Sequence, residues 1–249
     1  GLALALTIIA SWLLAMGVGL GGWNPGTGSL LYDGLWIALT AFLSTGVFIT
    51  AHECMHGLVA PGSPRINRTI GRFATWTYAG LSYDTLNRAH HIHHAQPATE
   101  DDPDYHRGSP SLPRWYLDFM GQYSTWQQWT WMSVLTATFV VGLSIPIDRV
   151  VLFWALPLVA STLQLFVVGT WLPHRPGAYL GDGPLRARTL DLNPFLSLLA
   201  CFHFGYHYEH HARPDLPWWR LWQVRGMGGD TQVPPSTGSS ARLKQATIG

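Results

Sequence analysis

Charged side chains are scarce in this sequence. Asp, Glu, Lys and Arg make up 12% of its 249 residues, whereas about 25% is usual in a soluble globular domain. The formal net charge is only +1, so the composition gives no reason to expect nucleic acid as a partner. Hydrophobic residues make up 47% of the chain, and 13 residues are Trp. This composition predicts an integral membrane protein whose surroundings are a lipid bilayer.

Cysteine is rare as well. Cys54 and Cys201 are the only two, and each stands within or beside a histidine-rich stretch. We expect both to be reduced, small core residues rather than a disulfide.

Four apolar runs are the main signal for the fold. Residues 2–20 carry no charge, and at about 1.5 Å per residue such a run crosses a hydrocarbon core of about 30 Å. It lacks a basic leading segment and further runs follow, so we interpret it as a membrane helix rather than a signal peptide. The other three runs are 35–50, 131–145 and 150–172.

The order of these runs predicts four transmembrane helices in two hairpins, with turns at 21–26 and 146–149. A long loop is expected at 61–126, with semi-apolar pieces such as 70–81 at the membrane interface. Of the 15 Lys and Arg, only Arg149 then falls in a loop on the far side, which makes the other side, with both termini, cytoplasmic. We expect residues 1–225 to form one catalytic domain and 226–249 a flexible tail.

Ten of the 12 histidines fall in three short stretches, at 52–56, 90–94 and 203–211. Neutral imidazole binds transition metals near pH 7. Residues three or four apart share one face of a helix, so the imidazoles of each stretch are expected to converge on a point. The histidines at these spacings are His52, His56, His90, His93, His94, His207, His210 and His211.

Eight ligands exceed the needs of one metal and predict two, held in a helical cap on the cytoplasmic side. His174, directly after the fourth run, and His203, four residues before His207, are further candidate ligands. Imidazole suits Zn, Cu, Fe and Ni, so the histidines alone leave the metal open. Zinc would indicate hydrolysis or deamination. An apolar substrate entering from the membrane favours iron, dioxygen and a soluble electron donor.

Carboxylates beside these stretches are candidates to orient the ligands, because metal-bound imidazole usually donates its other N–H to a carboxylate or carbonyl. The candidates are Glu53, Asp84, Asp101, Asp102, Asp104, Glu209 and Asp215. Glu53 and Glu209 are favoured because they lie inside the boxes. Aromatic residues near the stretches are expected to line a tunnel for an apolar substrate. These are Phe166, Trp171, Phe204 and Tyr206.

The three histidine boxes, HxxxH, HxxHH and HxxHH, separated by membrane hairpins, resemble those of the membrane fatty acid desaturase and hydroxylase superfamily. The flanking segments are similar to those of the beta-carotene ketolases. They are FITAHECMHG at 48–57, DDPD at 101–104, LPHRP at 172–176, CFHFGYH at 201–207 and PWWRL at 217–221. The resemblance covers nearly all of residues 40–222.

The resemblance implies an enzyme that oxidises the C4 methylene of a beta-ionone ring twice, to a ketone. Beta-carotene would pass through echinenone to canthaxanthin, and hydroxylated rings could give astaxanthin. It also implies two iron ions, dioxygen and reduced ferredoxin or a similar donor. It assigns iron ligation to the eight histidines of the boxes, with His174 as the ninth.

Two alternatives stay open from the sequence. A carotenoid hydroxylase or a fatty acid desaturase would use the same scaffold, because all three reactions begin with hydrogen abstraction. A histidine-rich membrane metal carrier would belong to a different class and should carry polar groups within its spans. The runs at 2–20, 131–145 and 150–172 carry no charge, and Gln164 is their most polar side chain, which disfavours the carrier.

Overall fold

The computed structural model describes residues 1–22, 30–106, 108, 111–178 and 185–225. Within them the secondary structure is helical, apart from one isolated antiparallel bridge between Thr189 and Tyr206. The predicted tail at 226–249 and most of the predicted turn at 21–26 lie outside the described residues.

Nine helical segments organise this part of the chain. They are α1 (Leu2–Gly21), α2 (Leu30–Met55), α3 (Pro64–Ala79), α4 (Tyr83–Ala95), α5 (Leu112–Tyr123), α6 (Trp126–Ala137), α7 (Ile147–His174), α8 (Pro194–Cys201) and α9 (His207–Ala212). A 3-10 segment, Trp218–Val224, follows α9. Two π-helical stretches, Val151–Ala155 and Val167–Trp171, interrupt α7.

Among the described residues, α1, α2 and α7 are long and apolar enough to cross a membrane. The predicted membrane helices at 2–20, 35–50 and 150–172 are thereby confirmed in length and composition, although α2 begins earlier and continues through the first histidine box. The predicted span at 131–145 is represented by α6 and a five-residue π-helical extension, Thr138–Gly142. This extension packs against α7, where the Phe139 and Trp154 ring centroids are 5.2 Å apart.

The prediction of a long loop at 61–126 is wrong, because that region contains α3, α4 and α5. Local signals explain the first two of these helices. Pro64 occupies the first turn of α3, and Gly80 ends it in the left-handed conformation, with a φ of 67°. The Ser82 side chain then accepts a hydrogen bond from the Thr85 N–H, 3.3 Å away, and caps the start of α4.

Polar side chains join the apolar helices to one another. The Thr45 hydroxyl of α2 donates to Gln164 Oε1 of α7 over 2.6 Å. The Tyr78 hydroxyl of α3 donates to Ser161 Oγ of α7 over 2.9 Å. Such interhelical bonds contribute about 0.6 kcal/mol each in membrane bundles. They hold α2 and α7 side by side, with the histidine-bearing carboxyl ends of both helices at the same end of the protein.

Candidate metal centre

Four helices meet at this end, and each contributes histidines. The last turn of α2 and the residue after it carry His52 and His56, and α7 ends at His174. The boxes on α4 and α9 supply the remaining six. All nine histidines predicted as metal ligands therefore lie in one cluster.

The cluster divides into two groups, and within each group the possible ligand atoms all lie within 4.8 Å of one another. The first group comprises His52, His56, His90, His94 and His210. The second group comprises His93, His174, His207 and His211.

The prediction that each box converges on a single point is wrong, because the boxes on α4 and α9 contribute to both groups. His90 and His94 belong to the first group, whereas His93 belongs to the second. Successive helical residues are about 100° apart around the axis, and residues four apart only about 40°. His90 and His94 therefore share a side of α4 that His93 does not share. On α9, His207 and His211 likewise share a side and belong to the second group, whereas His210 belongs to the first.

The spacing within the first group fits a bound metal. His56 Nε2 lies 2.7 Å from His90 Nε2, and His94 Nε2 lies 2.9 Å from His210 Nε2. Two imidazole nitrogens bound about 2.1 Å from one metal at a right angle would lie about 3 Å apart. Both ring nitrogens of His52 are buried, and neither has a hydrogen-bond partner within the described segments.

The second group fits a metal equally well. His211 Nε2 lies 3.0 Å from His207 Nε2 and 3.1 Å from His93 Nε2. The His174 ring centroid is 4.7 Å from those of both His93 and His207. Its Nε2 is buried and has no hydrogen bond to any described residue. A cation at this position would give that nitrogen a partner.

Hydrogen bonds on the outer side fix two rings of the second group. His93 Nδ1 lies 2.9 Å from Asp102 Oδ2 and 3.0 Å from Oδ1. His174 Nδ1 donates to the Arg186 carbonyl oxygen over 2.8 Å. Each bond uses the Nδ1–H and leaves Nε2 as the metal-facing atom, an arrangement that is common around bound metals.

Of the predicted acids after the second box, Asp102 binds a histidine, whereas Asp101 lies exposed. Asp102 also accepts backbone N–H bonds from Ala98, at 2.7 Å, and Asp104, at 2.8 Å. Asp104 in turn accepts a hydrogen bond from the Tyr123 hydroxyl. His93, Asp102 and Asp104 could themselves group around a cation, but these hydrogen bonds already use both Asp102 oxygens.

The two acids inside the boxes are buried. Glu53 Oε1 lies 3.5 Å from His52 Nδ1, and Glu53 Oε2 accepts a 3.3 Å hydrogen bond from the Trp218 N–H. Glu209 accepts a hydrogen bond from the Thr189 hydroxyl. Glu53 therefore contacts a histidine of the first group, whereas Glu209 fastens α9 to the segment that precedes α8.

Burial keeps most of these histidines neutral, which is the form that binds metals. Burial and the adjacent imidazoles lower the pKa of His56 to about 4 and that of His94 to about 2. The same two causes lower the pKa of His210 well below its usual range. Burial also lowers the pKa of His93, but its hydrogen bond to Asp102 and the charge of that carboxylate outweigh this and raise it.

The remaining histidines lie outside both groups. His203 is buried, and its ring stacks on Tyr206 with the centroids 5.5 Å apart. His106 pairs with Asp118 at 2.9 Å. His91 is exposed and bonds a backbone carbonyl one turn earlier.

An apolar cavity of about 130 Å³ leads to the cluster. It reaches histidines of both groups, namely His52 and His90 of the first and His93 and His207 of the second. Of the four aromatic residues predicted to line a tunnel, Phe166 and Phe204 do so, whereas Trp171 and Tyr206 are not among the lining residues. The Tyr206 hydroxyl instead donates to the Leu192 carbonyl, and Trp171 packs under the Arg175 guanidinium.

Two groups of buried and half-buried histidines beside long apolar helices define a helical protein with a cluster that could hold metal ions. Residues 29–133 and 118–227 match the family model described as fatty acid desaturase, and the chain belongs to this family.

Among its relatives, the chain is similar to proteins named beta-carotene ketolase. One, from Paracoccus sp. strain PC1, is 46% identical over 200 residues, which cover 78% of this chain and 80% of that protein. Another, from a second Paracoccus strain, is 42% identical over 224 residues, covering 89% and 90% of the two chains. A beta-carotene 4-ketolase 3 from Haematococcus lacustris is 33% identical over 264 residues, covering 94% and 81%. The predicted family resemblance is confirmed.

Proposed function

We propose that this chain is a membrane di-iron oxygenase that converts the C4 methylene of beta-ionone rings to a ketone. Beta-carotene would pass through echinenone to canthaxanthin. The observation that carries the proposal is the apolar cavity that ends on both histidine groups. A carotenoid ring is a hydrocarbon that such a cavity suits, and the relatives are named as ketolases of this substrate class.

Two iron ions, one held by each histidine group, would supply dioxygen activation. Each of two successive oxidations consumes one O₂, two electrons and two protons, and yields one hydroxyl group on C4 and one water. The geminal diol formed by the second oxidation loses water and leaves the ketone.

The residues of the chain position the ligands and the ring. The bonds of His93 to Asp102 and of His174 to a backbone carbonyl hold two imidazoles with Nε2 facing the centre. Phe204 lines the cavity with its ring centroid 4.8 Å from that of His52. This apolar wall would exclude water and place the ring end of the carotenoid beside the ligands.

We place the protein in the membrane with four spans in two hairpins, α6 with its extension being the third. The metal centre, its helical cap and both termini would lie on the cytoplasmic side. Exposed apolar side chains support a surface that faces lipid, since Leu14 is 68% exposed, Val141 79% and Val159 58%. Arg149 lies in the first turn of α7 rather than in the predicted turn at 146–149. It is still the single basic residue at the far end of the proposed hairpins, which supports the orientation. Residues 1–225 would act as one domain.

Electrons would come from reduced ferredoxin or a similar small acidic protein. A surface cleft of about 500 Å³ supports this, because its lining includes Arg65, Arg68 and His56. His56 belongs to the first histidine group, so the cleft brings a docked donor next to a ligand. Basic residues around it would attract an acidic partner through complementary charge.

Expression in a bacterium that makes beta-carotene tests the proposed function. We expect echinenone and canthaxanthin, with a shift of the pigment to red, and two iron ions per purified chain. Hydroxylated products with an unchanged chromophore would instead indicate a hydroxylase. A protein that holds zinc and cannot be reconstituted with iron would contradict the oxygenase. A protein that forms no oxidised carotenoid but moves metal ions across the membrane of lipid vesicles would be a carrier.

A further inference from the structure

Apart from the histidines, one buried polar atom in the lining of the apolar cavity lacks a partner among the described residues. Gln128, in the first turn of α6, lines the cavity. Its Oε1 is buried, and no described residue donates a hydrogen bond to it. A buried amide oxygen without a donor costs free energy, and most such groups in folded proteins are paired.

Two neighbouring hydroxyl groups of the cavity, by contrast, are already paired. The Tyr123 hydroxyl donates to Asp104. The Thr162 hydroxyl lies 2.7 Å from the Tyr116 hydroxyl and donates to the Val159 carbonyl over 2.9 Å. Gln128 Oε1 is therefore placed to receive a hydrogen bond from the molecule that fills the cavity.

A hydrocarbon ring has no donor to offer, so a cavity designed only for such a ring would not need this acceptor. The geometry points to Gln128 as a positioning residue whose Oε1 accepts a hydrogen bond from a hydroxyl group on the carotenoid ring. This rests on the proposed function, and it adds a preference for rings that carry an alcohol over unsubstituted rings. The hydroxyl has two possible sources: the first oxidation at C4, or a hydroxyl already present on the incoming ring.

The same cavity reaches His52 and His90 as well as Gln128, so the acceptor and the metal ligands border one enclosed space. For the C4 alcohol, the bond would retain the intermediate for its second oxidation. For a ring hydroxylated beforehand, it would favour binding over the unsubstituted ring.

Gln128→Leu removes the acceptor, and Gln128→Met, which is closer in length, is a second variant in case the first folds poorly. Thr162→Val is the matched control, because it removes a cavity hydroxyl that is already paired. The purified full chain in lipid vesicles would be assayed with beta-carotene, 4-hydroxy-beta-carotene and 3,3'-dihydroxy-beta-carotene. Binding of each would be followed in parallel by quenching of Trp fluorescence.

We expect both Gln128 variants to lower kcat/KM and affinity for a hydroxylated ring about tenfold relative to beta-carotene, with iron content unchanged. Thr162→Val should leave this ratio at the parent value. If the Gln128 variants accumulate the 4-hydroxy product from beta-carotene, the hydroxyl group that binds Gln128 is that of the intermediate. If the variants lose affinity only for the 3,3'-dihydroxy substrate, it is the hydroxyl group already present on the incoming ring.

Equal effects on hydroxylated and unsubstituted rings would overturn the assignment. If the parent protein forms no ketone from any of the three, the proposed function fails on its own. The binding ratio between hydroxylated and unsubstituted rings would still decide the role of Gln128.

Discussion

Asp102 faces His93 with both carboxylate oxygens, at 3.0 and 2.9 Å from Nδ1. Asp102→Asn would replace one of these acceptors with an NH₂ group and remove the negative charge. Loss of such an outer partner typically lowers metal affinity by about 10- to 100-fold. We expect a loss of that size, measured as iron retained in a chelator titration.

Asp101→Asn is the control for this variant. Asp101 is exposed while Asp102 is buried, so the same chemical change one residue earlier should leave iron retention at the parent level. Equal iron retention in both variants would show that the bond between Asp102 and His93 does not support the metal.

His174→Ala should lower the metal content below two iron ions per chain. Its buried Nε2 faces the other three histidines of its group, and a four-histidine site that loses one ligand binds its metal more weakly. Elemental analysis of the purified protein measures this directly.

His203→Asn is the matched variant, because His203 lies outside both groups and has a φ of 61°, which asparagine tolerates well. We expect it to retain two iron ions. A preserved metal content in His174→Ala, or a loss in His203→Asn, would reverse the roles given to these two residues.

Gly169→Ala should slow turnover while leaving the metal in place. A Cβ at Gly169 would lie 2.3 Å from Phe204 Cε1, so the ring would have to move, and it lines the cavity beside His52. We expect ketone formation to fall by about tenfold or more, since small displacements of a positioned substrate are costly. Gly17→Ala, whose Cβ meets no atom within 4 Å, should behave like the parent, and unchanged turnover in Gly169→Ala would argue against Phe204 as a positioning wall.

Arg65→Glu should weaken the use of an acidic electron donor. Reversing a charge at the rim of a docking surface mainly slows association with the partner. It also makes the association rate less dependent on salt. We expect a higher KM for ferredoxin, with the iron content and the affinity for carotenoid unchanged. Arg149→Glu, at the far end of the protein, should leave this KM unaltered, and equal KM values for the two variants would place the donor elsewhere.

The histidine spacing predicted which residues gather, because a helix fixes the directions of residues three and four apart. It could not predict how they divide between two groups, since that depends on where α4 and α9 stand relative to α2 and α7. The choice of Asp102 over Asp101 likewise depends on how the chain turns after α4. Only one of two adjacent acids can face His93, and the composition of the segment does not distinguish them.

The helices between residues 61 and 126 could have been predicted. Pro64, Gly80 and Ser82 are ordinary signals for the ends of helices, whereas the long apolar runs indicate only the membrane helices. The unpaired oxygen of Gln128 has no such signal. Whether an amide near the start of a helix is solvated or enclosed depends on the helices that pack around it.

The division of neighbouring histidines between two groups has a consequence for assembly. His93 and His94 are adjacent on α4, and His210 and His211 are adjacent on α9, so a metal bound at either position orders a helix that also carries ligands of the other. The first ion bears the conformational entropy cost of ordering these helices, so the second ion binds to ligands that are already in position. Uptake of the two ions should therefore be cooperative, with chains holding a single ion scarce at every stage of a titration.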